Sequence, residues 1–266
     1  MALETEMRFG DGTSPNAKGS SQSAESTWDQ KEMPFTEHLR ELRSRLLISV
    51  ATVGAIAVLA FWPSQYVIKW MTQAYFPGIT LNAFGPADVI LTELKFSVVA
   101  GIVIGLPMLF YQIWMFVVPA IHPRTRRMVY AFIAPSLILA IAGIAFAHFE
   151  VLPRVVHALL GITNEIATPT FGIASTLDFV MILLAIFAVI FQLPIVLIGL
   201  ARLGIVNGRW LGKYRRHAFF AMLVASGIAA PDGSPLTMAL LAVPMYVLYE
   251  ASIWVIFVFE KSWSKN

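Results

Sequence analysis

The sequence predicts an all-α integral membrane protein with six transmembrane helices. Three observations lead to this fold class. Hydrophobic residues make up 58% of the 266 residues and charged residues only 13%, against roughly 45–50% and 25% in soluble domains. The apolar residues are grouped in six separate runs. Lysine and arginine are concentrated in the segments on one side of those runs, as in multi-pass membrane proteins.

The six apolar runs cover about residues 43–62, 91–119, 128–148, 177–201, 215–230 and 236–258. A helix needs about 20 residues to cross a hydrocarbon core of roughly 30 Å, and the run at 215–230 is short for this. Because backbone polar groups must be paired in lipid, each run is predicted to be a helix. Only the tight turn PDGSP separates the last two runs, which predicts a helical hairpin.

The chain is predicted to have three parts. Residues 1–33 are rich in serine and glycine and have few aliphatic side chains, so we expect a disordered N-terminal tail. Residues 34–259 form the six-helix transmembrane domain. Residues 260–266 form a short cytoplasmic C-terminal tail.

Two long loops lie on the side opposite the termini, at about 63–90 and 149–176, and both are predicted to be structured. In the first loop, apolar side chains recur at a spacing that suits a short interfacial helix. They are Val67, Ile68, Met71 and Tyr75.

The distribution of positive charge predicts the orientation of the chain in the membrane. If both termini share one side, that side holds 16 of the 19 lysine and arginine residues, and the other side holds Lys69, Lys95 and Arg154. The positive-inside rule then places both termini in the cytoplasm. A nucleic-acid-binding patch is the alternative explanation for the arginines near residue 43. The adjacent membrane helix argues against it, so no nucleic-acid partner is expected.

Prolines interrupt several runs, at Pro107, Pro135, Pro194 and Pro244. Each proline removes a backbone donor and tends to kink its helix. Two explanations stay open: the ordinary irregularity of membrane helices, or a deliberately curved, concave wall.

Signatures of enzymes and of cofactor sites are missing from the sequence. The chain has no cysteine, and it contains no GxxxxGK[ST], HExxH or GxSxG motif. Its five histidines are scattered and do not pair at metal-ligand spacing. We therefore expect no catalytic residues, no metal and no cofactor.

Four stretches together resemble a known family. They are HLRELRSRL at 38–46, KFSVVAGIVIGLPMLFYQIWMFVVPAIHPRTRR at 95–127, FQLPIVL at 191–197 and APDGSPLTMALLAVPMYVLYE at 230–250. In order and spacing they are similar to TatC, the core membrane subunit of the twin-arginine protein translocase. The resemblance extends from about Met33 to Trp254, and the N-terminal tail lies outside it.

The resemblance implies a fold and a function. It implies a concave, glove-like bundle of six helices in the cytoplasmic membrane. The family binds the signal peptide of a folded cargo protein, whose hallmark is a pair of consecutive arginines. It also recruits small single-span partners of the TatA and TatB type into an oligomeric complex. That complex carries folded proteins across the membrane and is driven by the proton-motive force.

Glu41 is the first residue to which the resemblance assigns a role, because it matches the signal-peptide-recognising glutamate of HLxELRxR. A carboxylate suits a guanidinium pair, and the lower dielectric at a membrane edge strengthens such a contact. Glu37 lies four residues earlier and shares the helical face, and Arg43 and Arg45 flank the site. The alternative for Glu41 is an i,i+4 ion pair with Arg45, worth only a few tenths of a kcal/mol.

The loop HPRTRR departs from the family pattern HERR, in which a second recognition glutamate precedes two basic residues. Arg126 and Arg127 match, but Thr125 stands in the acidic position. A hydroxyl accepts a hydrogen bond from arginine without carrying charge. Recognition therefore depends on Glu41 with Glu37, or it is less strict. Phe116 matches a family aromatic near this site, with simple packing as its alternative role.

Gln192 is a polar residue past the middle of the fourth run, where polar groups are costly. The family most often has glutamate at this position, and the resemblance implies contact with a partner's single helix. The alternative is a hydrogen bond to a neighbouring helix of the same chain. Because glutamine does not titrate, a proton relay at this position is not expected.

Three carboxylates also match family positions. Glu250, inside the sixth run, must be either neutral or paired, which favours a structural role. Asp88 stands where the family often has the glutamate of SPxE. Asp232 lies in the turn of the last hairpin, where an Asx-turn or a cap explains it nearly as well.

Two other function classes are the alternatives to this function. A small-molecule secondary transporter predicts clustered mid-membrane ionisable groups and repeat symmetry, and only Gln192 and Glu250 fit. A membrane enzyme acting on lipid or peptide needs a catalytic dyad, for which His148 and Glu150 are the candidates.

Overall fold

The computed structural model describes residues 35–121, 126–166, 170–230 and 232–263, and most of these residues are helical. The helices are α1 Phe35–Phe61, α2 Ser64–Tyr75, α3 Asp88–Ile121, α4 Arg126–Phe146, α5 Leu152–Ile166, α6 Ile173–Ile190, α7 Leu193–Arg202, α8 Gly208–Lys213, α9 Arg215–Ala229 and α10 Pro235–Trp263. A π-helical turn, Ala147–Val151, joins α4 to α5. The all-α prediction is confirmed.

Five stretches of the described residues are helices long and apolar enough to cross a membrane. They are His38–Phe61, Asp88–Val117, Ala131–Gly161, Ile173–Arg202 and Pro235–Phe259. Each overlaps one predicted apolar run. The protein is therefore a multi-pass membrane protein, as its composition predicts.

The fifth predicted run forms α9, which has only 15 residues. At 1.5 Å per residue this helix is about 22 Å long, shorter than a hydrocarbon core of roughly 30 Å. It packs against α10, where the rings of Phe219 and Tyr246 lie 5.5 Å apart. The predicted hairpin is confirmed, whereas a sixth full crossing stays a prediction.

The first long loop is structured, and α2 is its helix. The apolar face predicted for it is buried, with Ile68, Met71 and Tyr75 packed into the main hydrophobic cluster. This cluster also contains residues of α5 and α6, among them Leu152 and Leu177, both fully buried. The face predicted to meet the membrane interface therefore contacts protein.

An isolated β-bridge ties the two long loops together. The backbone N–H of Asn82 donates to the carbonyl of Phe171 at 2.9 Å, and the N–H of Ile173 donates to the carbonyl of Asn82 at 2.9 Å. We call the end of the helices that carries α2 and this bridge the α2 end. The second loop is also helical over much of its length, because α5 continues from the π turn to Ile166.

Two glycines permit close helix approaches. A Cβ added to Gly101 on α3 would lie 2.7 Å from the carbonyl oxygen of Val53 on α1. A Cβ added to Gly143 on α4 would lie 2.6 Å from the carbonyl oxygen of Phe187 on α6. Backbone oxygens cannot rotate away as side chains can, so these contacts require glycine. Small residues serve this purpose at many membrane helix interfaces.

The chain divides into two units, Met1–Leu42 and Arg43–Asn266. Of the first unit, the structure describes only Phe35–Leu42, which is the beginning of α1. The predicted tail at 1–33 lies outside the described residues. At the other end α10 continues to Trp263, and the predicted boundary between the transmembrane domain and the C-terminal tail, after residue 259, stays a prediction.

Candidate functional site

The predicted recognition segment is helical. Glu41 lies near the start of the span that begins at His38, and its side chain is half-buried. Arg40 and Arg43 are exposed on the same helix. Near the start of α1, this short segment therefore carries one half-buried carboxylate and two exposed guanidinium groups on a regular helical backbone.

Arg45 has a defined partner on another helix. Its Nη1 donates to the Oε1 of Gln112 on α3 at 3.2 Å, and Gln112 is only 5% exposed. Phe116 stands four residues after Gln112, so the two share one face of α3, and its ring is half-buried. Arg45 therefore helps to join α1 to α3, one helical turn from the predicted aromatic site residue.

Gln112 was missed by the sequence analysis. The signal was present, because a glutamine inside the apolar stretch FYQIW is costly in a membrane unless it is paired. Nothing in the sequence, however, identifies Arg45 as its partner. The two residues are 67 positions apart in the sequence and meet only because α1 packs against α3.

The other predicted recognition residues are described less fully. Arg126 and Arg127 form the first turn of α4, and Glu37 lies in the first turn of α1. The side chains of these three residues, and the whole of Thr125, lie outside the described part of the structure. Their roles in recognition stay predictions.

Gln192 lies at the junction between α6 and α7 and is 1% exposed. Its Oε1 accepts a 2.7 Å hydrogen bond from the hydroxyl of Ser136 on α4. Its Nε2 donates to the carbonyl of Ser136 at 3.1 Å and to that of Ala188 at 3.4 Å. These are the intrachain bonds that the sequence left open as the alternative. Contact with a partner at this position stays a prediction.

Gln192 also closes a break in the helix. Pro194, at the start of α7, has no N–H to donate, and α6 ends at Ile190. The amide side chain of Gln192 bonds carbonyl groups of α4 and α6 at this break. It therefore fastens the junction to Ser136, inside a membrane-spanning stretch where an unpaired polar group is costly.

Glu250 is paired, which is one of the two states, neutral or paired, that its position in an apolar run allowed. Its Oε1 lies 2.9 Å from Nε of Arg215 at the start of α9 and accepts a 3.0 Å hydrogen bond from the hydroxyl of Tyr246. The Glu250 side chain is 25% exposed and that of Arg215 is 46% exposed. The contact crosses the α9–α10 hairpin, which supports the structural role predicted for Glu250.

Asp88 and Asp232 both make local contacts. The Oδ2 of Asp88, the first residue of α3, accepts from the N–H groups of Phe84 and Gly85 at 2.9 and 2.8 Å. The Oδ2 of Asp232 accepts from the hydroxyl of Thr237 at 2.9 Å. Each carboxylate therefore bonds within the segment around the start of a long helix. At Asp232 the partner is a hydroxyl, whereas the backbone N–H of Thr237 donates to the hydroxyl of Ser234, so the cap predicted for Asp232 is not what this contact forms.

Charged residues at the α2 end were also missed. The Nζ of Lys95 on α3 lies 2.5 Å from the Oδ2 of Asp178 on α6. Glu93 is 7% exposed, although it carries a carboxylate within the same span. Charge inside an apolar run is a detectable sequence signal. The pairing of Lys95 with Asp178, however, follows only from the packing of α3 beside α6.

The residues that could have formed an enzyme dyad have other partners. His148 Nδ1 lies 2.5 Å from the hydroxyl of Tyr75, and Glu150 pairs with Arg154. Burial raises the pKa of Tyr75 to about 12, so its hydroxyl keeps its proton at neutral pH, and the tautomer of the imidazole sets which of the two groups donates. Across the described ranges, no group of three or more histidine, aspartate or glutamate side chains could hold a metal ion.

Comparison with known proteins links this architecture to one family. A family model described as Sec-independent protein translocase protein (TatC) matches residues 37–244. The TatC protein of Aquifex aeolicus is 34% identical over 227 residues, which cover 84% of this chain and 94% of the relative. TatCy of Bacillus subtilis is 32% identical over 224 residues, which cover 84% of this chain and 88% of the relative.

Solved structures agree with the sequence comparisons. A crystal structure of the twin-arginine translocase receptor TatC superposes with a TM-score of 0.72 and 31% sequence identity. The match covers 83% of this chain and 98% of that one. A second crystal structure of this receptor, in the detergent DDM, superposes with a TM-score of 0.74 at 32% identity, covering 82% of this chain and 99% of that one.

Proposed function

This chain belongs to the TatC family, and we propose that it binds twin-arginine signal peptides and scaffolds a translocation site for folded proteins. As a translocase component it works in a complex with other subunits. We further propose that both termini face the cytoplasm across the cytoplasmic membrane, that the proton-motive force drives transport, and that membrane lipid surrounds the complex.

The observation that carries the binding proposal is the position of Glu41. Its half-buried carboxylate is held on a helix at the start of a membrane span, between the exposed Arg40 and Arg43. A carboxylate there can accept two parallel N–H bonds from a guanidinium group. Reduced dielectric at the membrane edge strengthens this contact relative to water.

Family resemblance assigns further residues to the proposed site. Glu37, one turn earlier on α1, supplies a carboxylate for the second arginine of the pair. Phe116 supplies an apolar contact for the segment after the arginines, and Thr125 offers a neutral acceptor in place of the family glutamate. The cationic residues Arg43, Arg45, Arg126 and Arg127 are assigned to the same signal-peptide-binding edge.

A partner helix has an apolar groove available to it. The groove has a volume of about 370 Å³ and lies between α3, α6, α9 and α10. Ile186, Val189 and Ile190 line it, immediately before Gln192. We propose that the single helix of a TatA- or TatB-type subunit lies in this groove. Gln192 would then exchange a bond to Ser136 for one to the partner.

Binding of a synthetic signal peptide to the purified, full-length protein tests the recognition site. We expect Glu41→Gln to weaken binding about ten- to hundredfold, because a charge-assisted hydrogen bond is worth about 1.5–3 kcal/mol. A twin-lysine peptide should bind the unaltered protein with a similar loss, since lysine lacks the bidentate fork.

The matched control is Asp178→Asn, a carboxylate at the α2 end. This variant should bind both peptides as the unaltered protein does. Equal binding of the twin-arginine peptide by Glu41→Gln and Asp178→Asn would overturn the assignment of Glu41. A normal melting temperature for each variant shows that any loss concerns binding and not folding.

A further inference from the structure

A second apolar groove lies at the α2 end, where no residue of the proposed function is found. It has a volume of about 260 Å³ and runs between the π turn and the first half of α10. We call it the α4–α10 groove. Its apolar walls are Phe146, Val151, Leu236, Ala239, Leu240 and Val243.

The π turn builds one wall of this groove. Phe146 and Val151 are five residues apart, which is the i→i+5 hydrogen-bond spacing of a π-helix, and both line the groove. An α-helical turn of 3.6 residues would rotate one of them away. π turns are rare and occur often at functional sites. The extra residue therefore shapes an apolar channel.

Two charged residues lie at the mouth of the channel. Glu150 and Arg154 both line the groove, and their side chains are 47% and 60% exposed. They form an i,i+4 ion pair with each other, and Arg154 also donates to the carbonyl of Glu150. A half-exposed pair of this kind is weak, so each charge can exchange its partner for a ligand at little cost.

The depth of the groove fits the edge of a bilayer. Its walls belong to two membrane-spanning stretches, Ala131–Gly161 and Pro235–Phe259. From Leu236 to Pro244 the wall extends about 12 Å along α10. Trp70, which prefers the membrane interface, stacks on His148 at 5.2 Å, two residues before Glu150. This position of Trp70 favours headgroup level for the charged pair and the acyl region for the apolar walls.

We propose that the α4–α10 groove binds one phospholipid with an ethanolamine headgroup. One acyl chain lies along the apolar walls. The phosphate accepts hydrogen bonds from Arg154, and the ammonium group donates to Glu150. The adjacent anion and cation of the protein thus complement the adjacent cation and anion of the headgroup. A lipid with choline has no N–H to donate, and one with glycerol has no cation, so both bind less well.

Native mass spectrometry of the full-length protein tests this, after solubilisation in a mild detergent and addition of phosphatidylethanolamine, phosphatidylcholine or phosphatidylglycerol. We expect one phosphatidylethanolamine to be retained per chain at activation energies that strip the other two lipids. Glu150→Gln and Arg154→Gln should each abolish this preference while leaving the apolar walls intact.

Ala239→Phe should remove retained lipid of every headgroup, because Ala239 is exposed into the groove and phenylalanine would fill it. Ala251→Phe, at an exposed alanine of α10 outside the groove, is the matched control. Retention by Ala239→Phe equal to that of Ala251→Phe would overturn the proposal. Equal retention of the three lipids, or displacement of a copurifying single-span polypeptide instead of lipid by Ala239→Phe, would also overturn it.

Discussion

The indole of Trp114 on α3 occupies the space beside Gly199 on α7. A Cβ added at position 199 would lie 2.2 Å from Cζ2 of this indole. On the α4 side, the ring of Phe132 stacks on Trp114 with centroids 5.9 Å apart and planes 22° apart. Trp114 is 4% exposed. The space left beside Gly199 on α7 is thus filled by Trp114, the largest side chain on α3.

Gly199→Ala should destabilise the protein. Alanine normally stabilises a helix by about 1 kcal/mol relative to glycine, but here its methyl group would force the buried indole to move, at a cost of about 1–3 kcal/mol. Thermal unfolding in detergent measures the net effect. Gly161→Ala, where a Cβ meets nothing within 4 Å, is the control and should not destabilise.

The combination of Gly199→Ala with Trp114→Leu distinguishes this clash from a general effect of the substitution. The smaller side chain removes the collision, so the double variant should be no less stable than Trp114→Leu alone. If Gly199→Ala lowers the melting temperature equally in both backgrounds, the contact with Trp114 is not the cause.

Gln192→Leu should destabilise the α6–α7 junction by about 1–3 kcal/mol, because it leaves buried polar atoms of Ser136 and Ala188 with fewer partners. Ser136→Ala removes only the hydroxyl bond and should cost about 1 kcal/mol. Unfolding in detergent gives both values. A smaller loss for Gln192→Leu than for Ser136→Ala would argue against the bonding scheme at this junction.

The same two variants separate packing from partner contact. Cross-linking of a single-span subunit to α6 should fall with Gln192→Leu and stay near normal with Ser136→Ala, since only the first removes the group proposed to meet the partner. If both variants cross-link equally well, Gln192 serves the fold alone.

Glu250→Gln should weaken the α9–α10 hairpin by up to about 1 kcal/mol, the scale of a partly exposed ion pair. Arg215→Gln should have a similar effect. In the double variant the losses should not add, because each single change already breaks the same pair. Unfolding of all four proteins completes this cycle, and fully additive losses would show that the two charges do not interact.

Tyr75 should make stability depend on pH under alkaline conditions. Burial raises its pKa from 10.0 to about 12, so between these values the folded protein holds a proton that the unfolded chain has released. The free energy of unfolding therefore falls as pH rises through this window and is unaffected below it. Melting temperatures measured across the window report this slope.

Tyr75→Phe should reduce the alkaline slope, and it should also cost about 1 kcal/mol at neutral pH through the lost bond to His148. Tyr66→Phe, a change at a 77% exposed tyrosine of the same helix, should leave the slope as it is. Indistinguishable slopes for the two variants would show that Tyr75 is not the titrating group.

Many residues of the candidate site could be identified from the sequence, but the contacts that they make could not. Glu250 is a carboxylate in an apolar run, so a neutral or paired state followed from the cost of burying charge. Its partner, Arg215, lies 35 residues earlier in chain order and meets it only because α9 and α10 fold back on each other. Arg45 was interpreted only through its neighbour Glu41, and its hydrogen bond to the distant Gln112 appears only in the structure.

The sequence by itself determined that this is a helical, multi-pass membrane protein of the TatC family. Hydrophobicity and helix length act locally along the chain, and the family motifs are local too, so all can be read without a fold. Only the tertiary structure decided that Gln192 bonds Ser136, that Trp114 fills the space beside Gly199 and that a π turn shapes a groove against α10. These depend on which faces of distant helices meet, and hydrophobicity alone does not distinguish a lipid-facing side from a protein-facing one.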